Sequence, residues 1–348
     1  MSIIKIVYKL KGVKMKEKLT FFDFCSGIGG GRIGMESAGL ECIGHSEIDK
    51  KTSETYEKFF KDNRNYGDLT KIDLKKLPDF DVLLAGFPCQ TFSIAGKREG
   101  FNDNRGMIIY SLIQIIKEKN IKYFLLENVK GLINHNKGQT LKTIKSELEK
   151  IGYNLYIKVL NSINFGVPQL RERVYIVGFR KDLDNYNFEF PEEEKTTYTL
   201  EKYIDKQNNS ELDKNDETFN KYLKNKYNSQ KNYRVEDILT WENSVIDYRQ
   251  SDLRKYDGFF PTLRTGRHGL LYIKNGKLMK LNGYEALLLQ GFPKNIAEIV
   301  KKDNFFTNNK VLSQAGNAMT VNVITKITEK LLKSIENTEK RYNGKLFG

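Results

Sequence analysis

The chain has 348 residues, enough to bury one large core and a smaller second lobe. Its net charge of +14 and pI near 9.3 suit a polyanionic partner, although the abundance of Lys, Asn and Ile raises the pI without any such partner. Three cysteines without Cys-x-x-Cys spacing and only three histidines argue against a zinc site, and Lys5 and Lys9 break the first apolar stretch, which excludes a signal peptide or membrane span there.

Residues 1–18 alternate apolar and basic and read as an N-terminal extension. Met15 lies just before the first core strand, so 1–14 could equally reflect an upstream start. The segment is too short for a helix-turn-helix. A strand is predicted over 19–24, then a glycine-rich turn, Cys25-Ser26-Gly27-Ile28-Gly29-Gly30, and a helix over 32–38. Glycines let the backbone approach a ligand closely, and the start of a helix offers free N–H groups. Alone the turn is weak evidence. Glu47, Ile48 and Asp49 end the next strand, 41–46, and Asp68 with Leu69 is expected near a further strand end. Acids at strand ends bind a ribose or an adenine amine in doubly wound sheets; Asp49 also reads as a helix cap before 49–60.

The apolar run Asp81–Gly86, expected as a strand, leads straight into Phe87-Pro88-Cys89-Gln90. A cysteine at a strand end is rigidly held, and thiolates are strong nucleophiles near neutral pH. A buried filler is the plain alternative. Helices are predicted at 107–119 and 138–151, and strands at 121–127, 153–160 and 173–180. Glu127 ends an apolar strand, which is costly unless it is paired or used. Arg171 and Arg173 enter a strand two residues apart, on one face if the backbone is already extended. Ser313-Gln314-Ala315-Gly316-Asn317-Ala318 opens the last helical stretch, 319–336, expected to pack back on the first lobe.

These blocks, in this order, resemble the DNA cytosine-5 methyltransferase family, over 19–180 and 281–325. The resemblance implies S-adenosyl-L-methionine bound by Cys25, Ser26, Gly27, Ile28, Gly29, Gly30, Glu47, Ile48, Asp68, Leu69, Pro88, Asn317 and Ala318. It implies Cys89 as nucleophile on C6 of a flipped-out cytosine, Glu127 at N3 and the exocyclic amine, and Arg171 and Arg173 bracing O2 and the carboxylate. Gln90, Ser93, Arg105 and Gln169 are expected on DNA, with 91–105 closing over the base. The implied fold is α/β, a doubly wound mixed sheet with a smaller target-recognition domain. The implied setting is a cytoplasmic monomer on double-stranded DNA, without a metal, alongside a restriction endonuclease acting on the same site.

Two positions depart from the family pattern. Cys25 stands where a phenylalanine usually lies against adenine, with Phe24 one position earlier. Leu281-Asn282-Gly283-Tyr284-Glu285 lacks the usual proline and arginine at the base of the target-reading region.

Composition shifts after Arg180, so the domains are expected as 19–180 catalytic, 181–295 target-recognition and 296–348 returning to the catalytic domain. Arg249, Arg264, Thr265 and Arg267, in turn-flanked loops, are the expected base readers, although basic loops can equally hold phosphates. Competing readings are an RNA (tRNA) cytosine-5 methyltransferase and a catalytically inactive DNA-binding regulator. The basic second lobe weighs against the first, and intact Cys89, Glu127 and Arg171 against the second.

Overall fold

The computed structural model describes residues 18–88, 107–184, 187–249, 252–266 and 269–346. The first lobe runs β1 (Thr20–Phe24), α1 (Gly30–Ser37), β2 (Glu41–Ser46), α2 (Lys50–Phe60), β3 (Val82–Gly86), α3 (Met107–Glu118), β4 (Tyr123–Val129), α4 (Gln139–Lys150), β5 (Tyr153–Asn161), β6 (Gln169–Leu170) and β7 (Glu172–Arg180). Six of these strands form one sheet in the order β2-β1-β3-β4-β7-β5. The first four are parallel, and β7 inserts antiparallel between β4 and β5. The expected doubly wound mixed sheet is therefore present.

Alternation along the strands builds a core on each face. Phe22, Phe24, Leu83, Ala85, Phe124 and Leu126 meet Ile109, Leu112 and Ile116 of α3 and Ile144 and Leu148 of α4. On the other face Phe21, Val82, Leu84, Leu125 and Val177 pack with Met35 of α1 and with residues of the last helix. Asp49 caps α2, accepting from the Thr52 N–H at 2.8 Å, a bond worth about 1 kcal/mol. One expectation fails here. No further strand leads into Asp68, although Ser46 at the end of β2 bonds the neighbouring Gly67. Asn65 makes an isolated bridge to His45, and Asp68 caps a single helical turn, Leu69–Lys71.

After β7 come α5 (Glu217–Leu223), α6 (Val235–Leu239), β8 (Ser244–Asp247), β9 (Arg254–Asp257), β10 (Phe260–Pro261), β11 (Leu270–Lys274) and β12 (Lys277–Lys280). A second, antiparallel sheet has the order β12-β11-β8-β9. Phe219, Ile238, Ile246, Tyr248, Leu271 and Ile273 form its own core. Then follow α7 (Gly283–Leu289), α8 (Asn308–Asn317) and α9 (Val321–Leu346). The departure at 281–285 has a local solution. Asn282 and Glu285 cap α7 reciprocally, and Glu285 also accepts from the Asp205 N–H and the Tyr272 hydroxyl at 2.9 and 2.8 Å. α9 packs on α1, carrying Ile324, Ile327 and Leu331 into the first lobe.

Candidate active site

The carboxyl ends of β1 and β2 come together at the glycine-rich turn. The Ser26 N–H donates to the Ser46 carbonyl at 3.1 Å, and the Ser46 hydroxyl donates to the Gly67 carbonyl at 2.6 Å. Cys25 and Gly27 both adopt left-handed backbone, φ 50° and 56°. A side chain at Gly27 would meet nothing within 4 Å, so the turn leaves open space beside its backbone. Glu47 lines that space, its Oε2 accepting from the Gly27 N–H at 2.9 Å and its Oε1 from the Asp49 N–H at 2.8 Å. Burial pushes the Glu47 carboxyl above its usual range, opposed by those two N–H bonds. Ile48 is 72 % exposed, an unusual state for isoleucine and a ready apolar platform.

Not every expected cofactor residue faces this space. Ile28 and Leu69 are buried in separate core clusters, so only their backbones can serve a ligand. The position a Gly30 side chain would take lies 2.3 Å from the Met319 carbonyl oxygen, so Gly30 is filled by protein. Asp68 accepts from the Thr70 N–H and hydroxyl at 3.0 and 2.7 Å. Burial alone would raise its pKa, but the Thr70 and Lys71 contacts hold it below the usual value. Sequence reading missed Asn65, which bonds the Glu47 backbone at both N–H and carbonyl and so splints this loop.

Cys25 lies over the first-lobe core. Burial, and the neighbouring Glu47, Asp23 and Asp68 carboxyls, push its thiol well up, so it stays protonated and is no nucleophile. Cys42, likewise buried, is pushed up to about 12. Phe24 is fully buried, stacked on Phe22 at 4.5 Å, and does not replace the missing aromatic at Cys25.

The second part of the site lies at the ends of β3 and β4. Gly86 is paired with Glu127 across the strands, and Pro88 is exposed just beyond. Cys89, Gln90, Ser93 and Arg105 fall outside the described residues, as do Arg267 and residues 1–17. What is seen is the approach to Cys89: the Asn128 side chain donates to the Phe87 carbonyl at 2.8 Å, fixing the backbone two residues before it. Glu127 and Arg173 form an ion pair at 3.1 Å, their side chains 11 % and 12 % exposed.

Arg171 and Gln169 behave differently from expectation. Arg171 is 2 % exposed, and the bonds of its terminal nitrogens go to main-chain carbonyls, not to Glu127. Its Nη1 donates to the carbonyls of Leu263 and Gly316 at 3.3 and 3.1 Å, and its Nη2 to that of Ala318 at 2.8 Å. Burial and the nearby Arg173 push its pKa down to about 9, so it remains charged at neutral pH. Gln169, expected on DNA, is fully buried. It donates to the Leu289 carbonyl at 2.8 Å and accepts from the Leu263 N–H at 3.2 Å. Asn317, expected at the cofactor, accepts from the Thr265 hydroxyl at 2.9 Å, and the Ala318 carbonyl is taken by Arg171. Among the candidate readers, Arg249, Arg264 and Thr265 are exposed; Arg249 also lies against its neighbour, Nε to the Tyr248 hydroxyl at 3.3 Å.

The fold and the site together define a methyltransferase of the doubly wound class. The structure of a methyltransferase from S. pombe, Dnmt2, superposes with a TM-score of 0.66 over 91% of this chain and 99% of that one; at 18% identity the likeness is one of fold. Residues 19–333 match the family described as C-5 cytosine-specific DNA methylase, and the chain belongs to that family. It is similar to the Type II methyltransferase M1.ScrFI of Lactococcus lactis subsp. cremoris, 37% identical over 93% of this chain and 80% of that protein. It is also similar to the Type II methyltransferase M.HaeII of Haemophilus aegyptius, 40% identical over 92% of this chain and 95% of that protein. Among the described residues no helix is long and apolar enough to cross a membrane.

Proposed function

We propose that this chain methylates C5 of a flipped-out cytosine in one short double-stranded DNA sequence, using S-adenosyl-L-methionine and a covalent Cys89 adduct, as the protecting partner of a restriction endonuclease. The observation that carries the reading is the Glu127–Arg173 pair beside the Phe87-Pro88 turn, held there by Asn128. A carboxyl group placed so can hold N3 and the exocyclic amine of a base, and the guanidinium fixes its direction. Addition of the Cys89 thiolate to C6 pushes an electron pair into the ring, and proton sharing at N3 through Glu127 stabilises it. Once C5 has taken the donated methyl group, loss of the C5 proton to water and departure of the Cys89 thiolate restore the aromatic ring.

The open space at Gly27 beside the Glu47 carboxylate and the Ile48 platform fits a nucleoside cofactor. Bound there, S-adenosyl-L-methionine supplies an electrophilic methyl group. Glu47 would accept from the ribose hydroxyls, and Ile48 and Asp68 would flank the adenine.

Incubating DNA and tRNA with the protein and cofactor, then sequencing for modified bases, tests the reading. The expected result is 5-methylcytosine in DNA at a single recurrent sequence. Modified tRNA and unmodified DNA would overturn it.

Glu47 gives a pH prediction. Its carboxylate is the acceptor, and its pKa is raised by burial, so the KM for the cofactor should rise as pH falls through that raised value. Glu47→Gln should show a high KM at every pH and lose the acid limb. An identical pH profile in wild type and variant would remove Glu47 from the cofactor site.

A further inference from the structure

We propose that Arg171, with Gln169, is a positioning residue that couples target reading to chemistry by clamping the loop that carries Arg264 and Thr265 to the strand that carries Arg173. The inference rests on the reading above, in which that loop meets bases and Glu127 with Arg173 holds the cytosine.

A buried guanidinium without a bonded carboxylate is costly unless its donors are used. Arg171 spends both terminal nitrogens on main-chain carbonyls, those of Gly316 and the capping residue Ala318 at the end of α8 and that of Leu263 in the reading loop, while its Nε has no partner among the described residues. A cation at the end of α8 is favoured by the helix dipole, and a plain cap would need no more. The bond to Leu263 is the additional one. It joins segments 92 residues apart, and the same Leu263 is held at its N–H by Gln169.

Further ties converge on the same stretch. β10 pairs in parallel with β6, so the loop leaves from the strand directly beside the one carrying Gln169. The Thr262 hydroxyl donates to the Leu170 carbonyl at 2.6 Å. Gly316 lies under the loop, where an added side chain would sit 2.9 Å from the backbone of Arg264 and Thr265. Thr265 is bonded to Asn317 across that contact. Arg173 begins two residues after Arg171, across the sheet from Val129. A loop seated on the wrong bases is therefore displaced against Arg171, and the displacement reaches Arg173 and Glu127 through a rigid strand. A lysine keeps the charge, but its single nitrogen cannot occupy the two positions from which the guanidinium nitrogens reach both segments.

The test compares wild type, Arg171→Lys and Thr262→Val on the recognised sequence and on all its single-base variants, measuring kcat and both KM values. The coupling predicts that Arg171→Lys narrows the preference for the recognised sequence over its variants by roughly 5- to 150-fold, chiefly in kcat, with the cofactor KM unchanged. Thr262→Val, which removes one hydroxyl at nearly constant shape, should narrow it in the same direction by less. A lower kcat with undiminished discrimination in both variants would overturn the proposal. Should Arg171→Lys fail to fold, undiminished discrimination in Thr262→Val overturns it alone. If wild type modifies no cytosine in DNA, it is the proposed function that fails.

Discussion

Cys89→Ala is expected to leave no detectable methylation, while specific DNA binding persists. The other two cysteines cannot take over. Burial and neighbouring carboxyls hold the Cys25 thiol protonated, and Cys42 is buried in the opposite face of the sheet. A 5-fluorocytosine at the target position should trap wild type as a covalent adduct, since fluorine cannot leave as a proton does. The variant should give no adduct. Turnover well above background in Cys89→Ala, or an adduct in the absence of Cys89, would remove it from the mechanism.

Glu127→Gln should lower kcat by about 100-fold or more, because proton sharing with N3 matters most as charge enters the ring, and should weaken DNA binding far less. The 3.1 Å pair with Arg173 supplies a sharper measurement. If Arg173 acts through the Glu127 carboxylate, Arg173→Ala should be severe in wild type and nearly silent in the Glu127→Gln background. Additive losses would mean that Arg173 meets the substrate independently, as a brace on O2 would. Equal losses in binding and kcat for Glu127→Gln would reduce that residue to holding the base.

Much of the first lobe could be read from the sequence. The runs Val82–Ala85 and Tyr123–Leu126 are buried on both faces of a sheet, and such runs betray themselves by unbroken apolarity; Phe21–Phe24 is buried likewise, although Asp23 interrupts it. Asp49 was legible as a cap because the signal is local. The insertion of β7 between β4 and β5 was not, since strand order depends on partners distant in sequence. No strand forms before Asp68 because the Asn65 and Asp68 side chains accept from the backbone N–H groups of Gly67 and Thr70 instead.

In the site, motif residues were found readily but their duties were not. Gln169 and Arg171 looked like substrate contacts because both are polar and sit in a functional block. Their partners are main-chain groups of Leu263, Leu289, Gly316 and Ala318, and a carbonyl has no sequence signature. The bond from Asn128 to the Phe87 carbonyl depends on the register of β3 against β4, which the sequence does not display.

The packing of α9 on α1 bears on how the chain is made. One face of the first sheet, with Phe21, Leu84, Leu125 and Val177, is covered in part by Ile324, Ile327 and Leu331. The ribosome finishes β7 at Arg180 and reaches Val321 about 140 residues later, on the order of ten seconds at typical bacterial speeds. Throughout that interval the nascent first lobe carries an incompletely covered apolar face. A chain released before Val321 keeps that face incompletely covered, so the last helix to be synthesised also bears on whether the first half of the protein stays in solution.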